Sequence, residues 1–173
     1  MQPVPTGRVL RTGPYAYDLI LTRSFPEPAR ELWPGLTDPA QTAPWIGRWE
    51  GTAVQGRTIG LQLLYEDGEP ISQTRITECT APEHLQLLVE DEYGRWDLEL
   101  YLRDILGGTQ LDFVHHLEDP AAAEGIGPGW EYYLDRLVAT RSGLQPPDFE
   151  DYYPAQGPYF TAQVQAAQSG GTV

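Results

Sequence analysis

Residues 124–143, EGIGPGWEYYLDRLVATRSG, decide the predicted architecture, because they carry one continuous apolar stripe with the period of an α-helix. The large side chains of this stripe are Trp130, Tyr133, Leu134, Leu137 and Val138. Proline suits the first turn of a helix, where its missing N–H has no partner, and glycine suits the left-handed residue just past the end. The pattern therefore predicts a helix over residues 128–142, with Gly127 at its cap and Gly143 after its last turn.

The sequence before this helix alternates between apolar and polar residues, which is typical of antiparallel strands with one buried face. Two runs show this most clearly: Trp96, Leu98, Leu100 and Leu102, then Leu111, Phe113, His115 and Leu117. Turn residues such as Asp-Gly, Ala-Pro and Gly-Gly separate five such strands between residues 56 and 117. The predicted order is one strand, two short helices, five strands and the long helix, which indicates an α+β domain. Within the first short helix, Pro34 predicts a kink or an early end.

Composition divides the chain into three predicted parts. Residues 1–14 are rich in Pro and Gly and are expected to form a loose N-terminal arm, in which Arg8-Val9-Leu10 can add an edge strand. Residues 15–143 form the domain, and residues 144–173 a C-terminal extension. The extension is expected to dock partly through its aromatic rings, while its last ten residues are disordered or a fraying helix.

The charge of the chain argues against several classes of partner. It has 11 Lys+Arg against 25 Asp+Glu, a formal charge of -14 at pH 7. Such a surface repels phosphate backbones and anionic lipids, so neither nucleic acid nor a membrane is expected as a partner. Cys79 is the single cysteine, and no apolar run is long enough for a membrane span or a signal-peptide core. A cytoplasmic protein, either a monomer or a homodimer, is expected.

Two stretches resemble a known family. Residues 21–33, LTRSFPEPARELW, followed by LTDP at residues 36–39 and by Trp45, resemble the opening of the AHSA1-like (activator of Hsp90 ATPase homologue 1-like) family. The sequence GPGWEYYLDRL at residues 127–137 is similar to the start of that family's terminal helix. The resemblance covers residues 15–143 and implies the helix-grip fold of the SRPBCC, START or Bet v 1-like superfamily. In this fold a curved antiparallel sheet wraps around a long C-terminal helix, and two short helices follow the first strand.

The space between the apolar sheet face and the long helix is the candidate ligand site. The residues expected to line it are Trp96, Leu98, Phe113, His115, Trp130, Tyr133 and Leu137. The first hypothesis is a module that binds a small hydrophobic or aromatic molecule. Members of the family include ligand carriers, cyclases and cochaperone-like domains. The resemblance therefore leaves two alternatives open: an aromatase/cyclase-type enzyme using the same space, or a protein-interaction domain using the outer sheet face. Ordinary filling of a core by these rings is a further alternative.

Acid–base or metal chemistry is suggested by one combination of residues, the pair His115-His116. Strand alternation sends the two side chains to opposite faces, so they cannot share a metal ion. His115 alone would face the interior, where it could orient a polar ligand group or act as a general base. The glycines before the long helix do not predict a phosphate-binding loop, because no parallel strand follows and Pro128 lacks an N–H. No catalytic residue, metal or cofactor is assigned from the sequence.

Overall fold

The protein is an α+β domain, described by a computed structural model over residues 2–92 and 94–170. The strands are β1 (Arg8–Arg11), β2 (Tyr17–Phe25), β3 (Gly47–Glu50), β4 (Thr58–Leu63), β5 (Ile71–Thr80), β6 (His84–Asp91), β7 (Gly94–Ile105) and β8 (Gly108–Leu117). The helices are α1 (Ala29–Thr37), α2 (Pro39–Thr42), α3 (Ala123–Ser142) and α4 (Gly157–Ser169), with short 3-10 turns at Pro120–Ala122 and Phe149–Asp151. All strand pairs are antiparallel, in the order β1-β2-β8-β7-β6-β5-β4-β3. Strand β2, which precedes the short helices, therefore lies beside β8, the last strand before α3.

The predicted apolar alternation becomes one buried face of this curved sheet. In β7 and β8, the inward side chains from Leu98 to Leu102 and from Leu111 to Leu117 are at most 6% exposed. Helix α3 is packed with this face in one core, and its Leu134 is 1% exposed. The predicted helix-grip architecture is confirmed. Within the described residues, no helix is both long and apolar enough to cross a membrane.

Helix α3 begins at Ala123, so the predicted start at Pro128 is wrong. Pro128 lies inside the helix, where it removes one hydrogen bond without ending the element. Gly127 is not a cap, because it lies inside the helix. It is the residue at which α4 crosses α3, and a Cβ there would be 2.5 Å from the ring of Phe160. The end of the helix is as predicted, since Gly143 adopts the left-handed conformation with φ 66°.

Two further elements differ from the prediction. Helix α1 continues through Pro34 to Thr37, so the expected early end is wrong. The short strand β3, at the edge of the sheet, was not predicted, and six strands therefore follow the short helices instead of five. Asp38 caps α2 by accepting a hydrogen bond from the backbone of Ala40 at 2.9 Å.

The N-terminal segment is held more firmly than its Pro and Gly content indicates. Strand β1 pairs with β2, as expected for Arg8-Val9-Leu10. Just before it, the backbone N–H groups of Thr6 and Gly7 donate to the carboxylate of Glu131 on α3, the latter at 2.7 Å. Glu131 is 1% exposed and also pairs with Arg23 of β2. A buried carboxylate therefore joins the N-terminal segment, the sheet and α3.

The C-terminal extension packs on the outer side of α3. Tyr152 is 2% exposed, and its hydroxyl donates to Asp135 at 2.8 Å. Helix α4 continues to Ser169, and Phe160 is fully buried against α3. For the last ten residues of the chain the sequence predicted a disordered end or a fraying helix. Of these, residues 171–173 lie outside the described part of the chain.

Candidate functional site

The seven predicted ligand-site residues come from three elements. Five of them belong to the hydrophobic core cluster between the sheet and α3, Trp96 packs against that cluster, and His115 contacts Trp96 and Trp130. Strand β7 provides Trp96 and Leu98, β8 provides Phe113 and His115, and α3 provides Trp130, Tyr133 and Leu137. Leu98 and His115 are direct partners across the β7–β8 ladder. Six of the seven side chains are at most 7% exposed, and Trp96 is half-buried at the margin of the cluster.

The indole of Trp130 lies at the centre of the aromatic part of this cluster. Its ring centroid is 4.4 Å from that of Phe113, 5.9 Å from Trp96 and 6.0 Å from Tyr133. These are contact distances for tilted and edge-to-face aromatic pairs. The rings therefore touch one another, and a ligand must either insert beside them or displace one of them.

His115 is the polar residue within these rings. Its Nδ1 accepts a hydrogen bond from Nε1 of Trp130 at 3.1 Å, so the neutral ring carries its proton on Nε2. Burial lowers the pKa of His115 to about 4, and the charge of His116 acts in the same direction. The imidazole is therefore neutral at physiological pH. A base this weak is poorly matched to proton abstraction near pH 7, which favours a hydrogen-bonding role.

His116 points to the opposite face of the sheet, as predicted. Its Nδ1 lies 2.7 Å from a carboxylate oxygen of Asp18, and its Nε2 lies 2.7 Å from one of Glu99. Burial lowers the pKa of His116, but these two carboxylates outweigh it and raise the pKa overall. Glu99 also contacts Nε2 of His84 at 2.6 Å, and the His84 ring stacks on Tyr101 with centroids 4.3 Å apart. This side of the sheet therefore carries an internally paired row of polar residues.

Metal binding finds no support at either histidine. Across residues 2–92 and 94–170, no group of three or more His, Cys, Asp or Glu side chains is arranged to hold a metal ion. On the outer face, both nitrogens of His116 are occupied by carboxylates, as is Nε2 of His84. His84 and His116 therefore act as hydrogen-bond partners of carboxylates, whereas His115 accepts from Trp130.

Sequence reasoning missed a buried cation at the edge of the aromatic cluster. Arg136 is 8% exposed, and its Nη2 donates to the carbonyl of Pro44 at 3.0 Å. Its guanidinium lies over the ring of Tyr65, 3.6 Å from the centroid, and Nη1 is 3.3 Å from the hydroxyl of Tyr132. The Nε atom is buried and has no hydrogen-bond partner. A sequence signal exists, because the helix positions three and four residues away from Arg136 hold no acidic residue.

The turn between β4 and β5 lies against α3 at the same place. The hydroxyl of Tyr133 donates to Glu66 of this turn at 2.5 Å, and the hydroxyl of Tyr65 donates to the carbonyl of Ala43 at 2.8 Å. Burial and the bond to Glu66 raise the pKa of Tyr133, while the charge of Arg136 acts in the opposite direction. No local pattern indicates this contact, since Glu66 and Tyr133 are 67 residues apart.

A shallow groove of about 320 Å³ lies elsewhere, at the β7–β8 turn. It is lined by Pro26, Pro28, Asp104, Ile105, Gly107 and Gly108. These residues offer one carboxylate and no aromatic ring, and none belongs to the aromatic cluster. The groove is therefore not part of the candidate site.

Comparison with known proteins identifies the class. The profile of the family described as "Activator of Hsp90 ATPase homolog 1-like protein" matches residues 26–141, more than half of the chain. Solved structures with the same fold include CalU16 from Micromonospora echinospora, with a TM-score of 0.76 and 23% identity over 94% of this chain and 99% of that one. EF2215 from Enterococcus faecalis has a TM-score of 0.67 and 17% identity over 94% and 91% of the two chains.

DynU16, described as a protein of the dynemicin biosynthetic locus, has a TM-score of 0.65 and 18% identity over 79% of this chain and 50% of that one. No functionally curated protein matches the chain in a sequence search. The fold and the matching profile define a helix-grip protein of the SRPBCC type. The chain belongs to the activator of Hsp90 ATPase homologue 1-like family.

Proposed function

We propose that this protein binds a small hydrophobic or aromatic molecule between the sheet and α3, as a non-catalytic module. The observation that carries the proposal is the convergence of aromatic side chains from β7, β8 and α3 around the buried bond between Trp130 and His115. Apolar walls with a few fixed polar groups are typical of small-molecule sites. Trp96 is half-buried, so part of the cluster is reachable from outside.

The two alternatives have less support. A cyclase that used His115 as its base would need a pKa nearer to neutrality than about 4. A protein-interaction domain on the outer sheet face would have to use the polar row formed by His84, Glu99, His116 and Asp18. The polar groups of this row already pair with one another. Ligand binding next to the aromatic cluster therefore remains the proposal, in a cytoplasmic protein that is a monomer or a homodimer. The formal charge of -14 supports partners other than nucleic acids and membranes.

Binding of an apolar probe tests the proposal. N-phenylnaphthylamine should quench or shift the tryptophan emission and raise the melting temperature, because a ligand that binds only the folded state stabilises it. Trp96→Leu should weaken binding about two- to tenfold, the value of one aromatic contact. Trp49→Leu, in β3, is the matched control and should leave the affinity unchanged. A screen of apolar compounds that gives neither a thermal shift nor an emission change would refute the proposal.

His115→Ala separates binding from catalysis. A binding module should lose at most about 1–3 kcal/mol of affinity with the hydrogen bond. A cyclase that used this imidazole should instead keep its affinity and lose turnover by about 100-fold.

A further inference from the structure

Among the described residues, one buried guanidinium has no carboxylate partner. Arg23 pairs with Glu131 and Asp135, and Arg141 pairs with Glu27. Arg136, which is 8% exposed, forms no ion pair with any residue of the described parts of the chain, although the protein contains 25 acidic residues. A buried charge without a counter-charge is costly, so an anion that bound beside Arg136 would be favoured there.

The surroundings of Arg136 satisfy only part of its hydrogen-bonding capacity. Tyr65 covers one face of the guanidinium, while a backbone carbonyl and the Tyr132 hydroxyl take one Nη each. The buried Nε points at no acceptor. Arginine recognises carboxylates, sulfonates and phosphates through its fixed fork of N–H groups, and Nε is one of those donors.

A carboxylate of the chain itself, that of Glu66, binds the tyrosine that lies one helical turn before Arg136. Tyr133 lies three residues before Arg136 on α3, and its hydroxyl donates to Glu66 in the β4–β5 turn. The same turn carries Tyr65, which is 36% exposed and covers Arg136. The two side-chain contacts of the turn described above, from Tyr65 to Ala43 and from Tyr133 to Glu66, hold it against the rest of the domain.

We propose that the ligand is an aromatic acid, and that its anionic group binds between Arg136 and the Tyr133 hydroxyl in place of Glu66. The aromatic part of the ligand then lies beside Trp130, whose ring centroid is 6.0 Å from that of Tyr133. The β4–β5 turn opens to admit the ligand and releases the contacts of Tyr65 and Glu66. This assignment rests on the proposed function and gives its ligand a chemical class.

Two probes that differ only in a sulfonate test the charge requirement. Anilinonaphthalene sulfonate should bind the wild-type protein about tenfold or more tightly than N-phenylnaphthylamine, because charge-assisted hydrogen bonds to a buried arginine favour the anion. Arg136→Met should abolish this preference, because the affinity for the sulfonate should fall to about that for the neutral probe. Arg30→Met, at an exposed position of α1, removes the same charge and should retain the preference.

Glu66→Gln tests the displacement step without touching Arg136. Removing the competing carboxylate should raise the affinity for the sulfonate about threefold or more, and change that for the neutral probe much less. Asp67→Asn makes the same charge change one residue along in the turn and should have no such effect. A purely structural contact between Glu66 and Tyr133 would give the opposite result, because its loss would loosen the turn without favouring an anion.

The outcomes separate this inference from the proposed function. Equal or tighter binding of the neutral probe by the wild-type protein overturns the acid assignment and leaves the apolar site in place. Unchanged sulfonate affinity in Glu66→Gln overturns it as well. Binding of neither probe, with no thermal shift, overturns both. If Arg136→Met fails to fold, the wild-type preference and the Glu66→Gln comparison decide.

Discussion

Replacement of Gly127 by alanine tests the packing of α4 on α3, because local and tertiary effects predict opposite signs. In a helix interior, alanine is favoured over glycine by about 0.8–1.0 kcal/mol. In this structure, however, a Cβ at position 127 would lie 2.5, 2.5 and 2.6 Å from three ring carbons of Phe160. Carbon atoms in van der Waals contact are about 3.5–4.0 Å apart, so the overlap is about 1 Å or more. Phe160 is 0% exposed, and a Cβ at Gly7 would lie 2.7 Å from the same ring, so the ring is enclosed by both segments.

The tertiary effect should prevail. Overpacking of a filled core costs about 1–3 kcal/mol, and alanine before Pro128 is also disfavoured in the helical conformation. After the gain in helix propensity is subtracted, we expect Gly127→Ala to destabilise the protein by about 1–2 kcal/mol. For a domain of this size the melting temperature should fall by about 2–8 °C, which thermal and urea unfolding will measure.

The neighbouring glycines of α3 provide matched controls. A Cβ at Gly125 or Gly129 meets nothing within 4 Å, so alanine at either position should stabilise by up to about 1 kcal/mol. In a Phe160→Ala background, the ring overlap is removed, so Gly127→Ala should cost only the proline effect less the gain in helix propensity, and the double-mutant cycle isolates the contact. A Gly127→Ala protein as stable as the wild type, with no coupling to position 160, would refute the described packing.

Two further predictions concern pH and the C-terminal extension. Because the pKa of His115 falls from 6.5 to about 4 on folding, its contribution of about 3 kcal/mol is present above pH 6.5 and is lost as the pH falls towards 4. The raised pKa of His116 has the opposite sign: its contribution is present below pH 6.5 and is lost as the pH rises. Urea unfolding from pH 4 to well above pH 6.5 should show a shallower acid loss in His115→Gln and a shallower loss on the alkaline side in His116→Gln, and identical profiles would contradict both assignments. For the extension, limited proteolysis should spare Tyr152 and α4, whereas Tyr152→Ala should expose that segment; rapid cleavage there in the wild type would show that it is not docked.

Much of the fold could be predicted from local patterns. The stripe from Trp130 to Val138 and the left-handed Gly143 specify the body and the end of α3, because helix periodicity and capping depend on residues a few positions apart. Alternation in β7 and β8 likewise specifies which side chains are buried, and it assigned His115 and His116 to opposite faces. These properties belong to each element by itself, and they indicated which side chains of β7, β8 and α3 are buried.

The tertiary structure alone decided which elements meet. Contacts between residues far apart in the sequence decide where α3 starts and why position 127 is glycine. They also decide that Glu66 meets Tyr133 and that Arg136 meets no acidic residue among those described. Pro128 and Gly127 resemble a helix start locally, but the packing of Phe160 against α3 requires a glycine inside the helix. The lack of acidic residues three and four positions from Arg136 only hints at its burial without a carboxylate, since neither helix spacing nor charge composition specifies distances to the other elements. Periodicity determines what a residue buries, and only the assembled sheet and helices determine against which neighbour.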